Sequence, residues 1–76
     1  MSIKLTARER RAIAKATRRH LAAEGYDGGY GIDTARAFIE TQVDDLGRFE
    51  GVPYTDISDY AQGLARFVCP REARDF

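Results

Sequence analysis

The sequence predicts an all-α fold, a small domain of three helices at about 6–24, 34–46 and 56–68 with a glycine- and tyrosine-rich first loop. Apolar residues recur at three- and four-residue spacing in each stretch, the signature of a helix with one buried face. Glycines at 25–31 and a glycine–proline segment at 47–55 separate the stretches. No polar–apolar alternation is long enough for a strand, so three helices around a small core is the simplest account.

The first helix opens with a capping box. Thr6, Ala7, Arg8 and Glu9 let the Thr6 hydroxyl accept from the Glu9 amide while Glu9 reaches back. Ala, Arg, Lys and Leu favour helix from there to Glu24, and Gly25 stops it. Lys4, Arg8, Arg11, Lys15, Arg18 and Arg19 share about 100° of arc if the whole segment is helical, with Arg10 off the stripe. Ala12, Ile13, Ala16, Thr17, His20, Leu21 and Ala23 lie opposite and form a shallow apolar face.

Four glycines in the segment Gly25–Gly31 permit positive φ and exclude a helix. Tyr26 and Tyr30 within it are expected to fold back onto the core with their hydroxyls outward. Asp33 is the expected cap of the second helix, which buries Ala35, Phe38, Ile39, Gln42, Val43 and Leu46. Arg36, Glu40 and Asp44 line another face, and Arg48 is placed to meet the helix's negative C-terminal end. Thr55 is the expected cap of the third helix. Its apolar stripe reads Ile57, Tyr60, Ala61, Leu64, Phe67 and Val68, and Pro70 ends it. Residues 71–76 are expected to be a mobile tail of the single domain 1–76 unless Phe76 docks.

The chain has 76 residues and is neutral overall. A chain of this size buries only about 60% of the surface its unfolded form exposes, so compact packing or self-association is needed. Cys69 is the only cysteine and His20 the only histidine, which rules out an internal disulfide and a zinc cage. No cofactor is expected. A lone thiol, no signal-like apolar run and no membrane-length apolar stretch point to a cytoplasmic protein.

Charge is segregated along the chain. Residues 1–24 carry a net +5, residues 25–65 a net −6 and residues 66–76 a net +1. The basic stripe, Arg8, Arg11, Lys15, Arg18 and Arg19, is a candidate footprint for an anionic partner. Among the acids, Asp33, Asp56 and Asp59 suit helix N-termini, whereas Glu40, Asp44, Asp45 and Glu50 do not. Those four form a candidate acidic patch for the basic groove of another protein. Tyr26, Tyr30 and Tyr54 are candidate aromatic anchors. The bland alternative is that the two charged halves are solvated faces or complement each other.

His20 and Cys69 lack the partners of a catalytic motif, and the glycine segment matches neither a phosphate loop nor a dinucleotide fingerprint. The expectation is therefore a non-enzymatic protein-binding module acting by charge complementarity. In size and character it is like the small phage and mobile-element inhibitors that block a host machine, the anti-CRISPR class included. The alternative is a nucleic-acid accessory protein using the basic face of helix 1. Duplex readout is disfavoured: a helix-turn-helix joins its helices by about 3–4 residues, and the last helix offers only Arg66. A homodimer pairing helix 1 of one copy with helix 2 of another is a third reading.

Overall fold

A computed structural model describes residues 3–74. Among these, helices α1 (Ala7–Ala23), α2 (Ile32–Asp45), α3 (Tyr54–Val68) and α4 (Pro70–Arg74) follow one another and no strand forms. The all-α, three-helix expectation holds, with a fourth short helix added.

α1 begins as its sequence dictates. Thr6 Oγ1 accepts from the Glu9 amide at 3.1 Å, and the Thr6 amide donates to Glu9 Oε1 at 2.9 Å. Its end is a Schellman motif: Gly25, at φ +92°, donates to Ala22 O and Tyr26 donates to Leu21 O. Ile13, Ala14, Thr17 and Leu21 are buried, and the Thr17 hydroxyl is satisfied by Ile13 O at 2.6 Å. The buried face is thus rotated from the expected one. Ala14 is in, while Ala12 and Ala23 are exposed.

α2 starts two residues earlier than expected, and Asp33 does not cap it. Its N-cap is Gly31 at φ +93°, where a Cβ would lie 2.7 Å from Tyr26 Cγ and 3.0 Å from Leu21 Cδ2. Only glycine fits that turn. Ile32, Ala35, Ile39 and Val43 fill the core, each large one contributing about 1.5–3 kcal/mol of apolar burial.

α3 starts at Tyr54 with Pro53 as its N-cap, in place of Thr55. Pro53 has extended backbone angles, and its carbonyl accepts from Asp56 and Ile57. Ile57, Ala61, Ala65 and Val68 are buried. Ala35, Ala61 and Ala65 are fully covered, so α2 and α3 pack backbone to backbone more extensively than either packs on α1. The N-terminal segment adds Ile3 and Leu5 to the same core.

Residues 71–74, the first part of the expected tail, belong to the short helix α4. α4 lies on the glycine loop, where the Glu72 amide donates to Gly29 O at 3.1 Å. A Cβ on Gly29 would sit 3.1–3.3 Å from Arg71 atoms, so the glycine permits the close approach. Glu72 Oε1 accepts from Gly31 N at 2.7 Å and Ile32 N at 3.1 Å. A carboxylate far along the chain therefore provides the cap expected of Asp33. The docking of Phe76 lies outside the described residues.

Arg48 departs from its expected role at the end of α2. Its Nη2 donates to Glu9 Oε1 at 2.9 Å and to Lys4 O at 3.3 Å, and its Nη1 bonds Glu9 Oε2. The second loop is thereby clamped to the start of α1.

Candidate functional site

The basic stripe is exposed along its length. Arg8, Arg11, Lys15, Arg18 and Arg19 all face water, and none pairs with a carboxylate among the described residues. The stripe then divides. Arg11, Lys15 and Arg18 line a groove of about 680 Å³ between α1 and α3, while Arg8 and Arg19 lie outside it. Arg10, expected off the stripe, joins the groove and donates to Leu5 O at 3.0 Å. Ala7, Ala14, Leu64 and Phe67 complete the lining.

Phe67 is the residue that sequence reasoning misplaced. Its spacing puts it on the apolar stripe of α3, yet its relative exposure is 65%. Ala65 takes the central position because small side chains suit the tight α2–α3 contact. Phe67 stands at the rim of the groove, with Arg18 Cζ 5.6 Å from its ring centroid. That cation–π distance couples the aromatic to the basic edge.

A second hollow, about 520 Å³, continues past Arg18 and Phe67. Tyr26 and Tyr30 line it with Arg71 and Arg74 of α4. The two tyrosines are 41% and 42% exposed, so both are available at the surface. Two of the three candidate anchors thus adjoin the basic face. Arg71 and Arg74 were hidden from sequence reasoning because the tail was expected to fray.

The acidic set is less free. Glu40 accepts from the Tyr54 hydroxyl at 2.8 Å and lies 3.9 Å from Arg36, four residues before it. The neighbouring carboxylate holds the Tyr54 phenol above its usual range, chiefly through that hydrogen bond. Asp44, Asp45 and Glu50 remain exposed. Tyr54 is thus joined to the acidic patch and not to the other two tyrosines.

Glu9, His20 and Cys69 each make contacts within the fold. Hydrogen bonds from Arg48 and then Thr6 lower the Glu9 carboxyl to about 2. His20 stacks on Phe38 with ring centroids 4.5 Å apart. Cys69 is fully buried and its Sγ–H meets Tyr30 O at 3.4 Å. Burial pushes that thiol up, which disfavours the reactive thiolate. Among the described residues no three His, Cys, Asp or Glu side chains gather as a metal site, and no helix is long and apolar enough to cross a membrane.

No known family, curated protein or solved structure matches this chain.

Proposed function

We propose that this chain is a non-enzymatic protein-binding module that covers an acidic surface of its partner with the basic face of α1. The observation that carries the reading is the placement of exposed Phe67 beside Arg18, in a groove edged by Arg11 and Lys15. Exposed aromatics and arginines together are the composition of binding hot spots. Charge steers the encounter and the apolar groove wall holds it. Such a cofactor-free covering surface suits an inhibitor of a host machine of the kind that phages and mobile elements carry.

The preference for the basic face over the acidic patch rests on Glu40, which is already engaged by Tyr54 and Arg36. The test is capture from an extract of the cell that encodes the protein. The combined variant Arg11→Glu, Lys15→Glu, Arg18→Glu should lose the captured protein, and Asp44→Lys with Asp45→Lys should retain it. The opposite pattern overturns the choice of face.

A nucleic-acid accessory role draws on the same exposed stripe. It demands binding that falls steeply with salt and weakens alike for all sequences. Nucleic acid captured without any protein would replace the protein-binding reading.

A further inference from the structure

We propose that the α1–α3 groove accepts one acidic amphipathic helix of a partner protein, its apolar edge on Leu64 and Phe67 and its carboxylates against Arg11, Lys15 and Arg18. This rests on the protein-binding reading above and names the kind of segment bound.

The dimensions fit such an occupant. The groove follows α1 from Ala7 to Arg18, which at 1.5 Å per residue is about 16 Å, or three helical turns. Arg11, Lys15 and Arg18 fall at i, i+4 and i+7, about one turn apart along the groove edge, with Arg10 beside Arg11 in the lining. A facing helix with carboxylates at the same spacing meets all three. Ala7 and Ala14 keep the α1 wall low enough for a close approach.

The walls explain why the occupant is helical. Both are helices, whose interior amides and carbonyls are bonded within themselves. An extended peptide would find no backbone partners there and would bury its own polar groups unsatisfied. A helix satisfies them internally.

Two other occupants fit less well. The acidic α2 of a second copy is a poor match, because Ile32, Ile39 and Val43 are buried in its own core and its exposed positions, Asp33, Ala37, Thr41, Asp44 and Asp45, bring no large apolar side chain to Leu64 and Phe67. Pairing α2 of one copy with the groove of the next is heterologous and grows without closing. A phosphate backbone gains from the cations but makes no use of an apolar wall of Ala14, Leu64 and Phe67.

The experiment is an NMR titration of the ¹⁵N-labelled protein with four probes. They are a helical peptide with leucines on one edge and glutamates flanking them, the same peptide with lysines for glutamates, polyglutamate, and a single-stranded oligonucleotide. The glutamate peptide should bind best and shift the amides of Ala14, Lys15, Arg18, Leu64 and Phe67. Phe67→Ala should weaken it about tenfold or more, as loss of an aromatic anchor does, with a melting temperature shifted by no more than about 4 °C. Arg11→Glu with Lys15→Glu should abolish binding.

The proposal is overturned if the glutamate peptide does not bind, if the lysine peptide or polyglutamate binds as tightly, or if the shifts fall on α2. It is equally overturned if the oligonucleotide binds more tightly. A groove that refuses the peptide, in a protein whose capture of a partner still depends on Arg11, Lys15 and Arg18, removes the helical occupant and leaves the protein-binding reading standing.

Discussion

Glu72 Oε1 accepts from the backbone amide of Gly31 at 2.7 Å and from that of Ile32 at 3.1 Å, so the carboxylate of α4 caps the start of α2. The two amides are among those a helix leaves without internal partners, and α2 has no side-chain cap of its own. Glu72→Ala should lower stability by about 1–2 kcal/mol, the upper part of the range for lost caps. Glu72→Gln keeps an acceptor oxygen and should lose less. Urea unfolding of the three proteins checks the order.

Glu9 gives a pH signature. Arg48 and Thr6 hold its carboxyl at about 2, below the ordinary 4.5. A folded-state pKa below the unfolded one contributes stability that is present above about 4.5 and is lost as pH falls through about 2. Melting temperature followed from pH 7 to pH 2 should therefore show a gap between the native protein and Glu9→Gln that closes at the acid end. Arg48→Met should narrow the same gap, and a gap that persists at pH 2 contradicts the assignment.

Two glycines should respond in opposite directions. Gly31 combines φ +93° with a Cβ position 2.7 Å from the Tyr26 ring, so Gly31→Ala is strained and clashes. Gly63 lies within α3 with open space around its missing Cβ. Gly63→Ala should stabilise by about 0.5–1 kcal/mol through the helix backbone alone. Thermal unfolding of both variants reads the contrast.

The core and the groove rim separate by truncation. Ile39 is fully buried, and Ile39→Ala should cost about 2–5 kcal/mol. That is a large share of the marginal stability of so small a domain. Phe67 is the larger side chain but is exposed, and Phe67→Ala should change stability by about 0.5 kcal/mol, the scale of an exposed cation–π contact. Denaturant midpoints compare them directly.

Local features were readable in the chain and distant ones were not. The Thr6–Glu9 box and the Gly25 stop involve neighbours three or four residues apart, so sequence alone exposes them. Glu72 and Gly31 are 41 residues apart, and Arg48 and Glu9 are 39 apart. Nothing local marks a carboxylate as the cap of another helix, and Asp33 was the nearer choice. Periodicity located the helices but misjudged their rotation. It cannot tell that Ala65 belongs in a tight helix–helix seam and Phe67 outside it, since hydrophobicity ranks the two in reverse. The basic half of the candidate site was therefore legible as a stripe. Its aromatic rim and the cations of α4 depended on packing.

The shared bonds of α4 make separate parts of the chain open together. Lifting α4 releases the Glu72 amide from Gly29 O and simultaneously uncovers the amides of Gly31 and Ile32. These amides lie far apart in sequence yet form one cooperative unit, so their deuterium exchange should report a single opening free energy. The Tyr26–Tyr30 hollow, which α4 helps to wall, is tied to that same event.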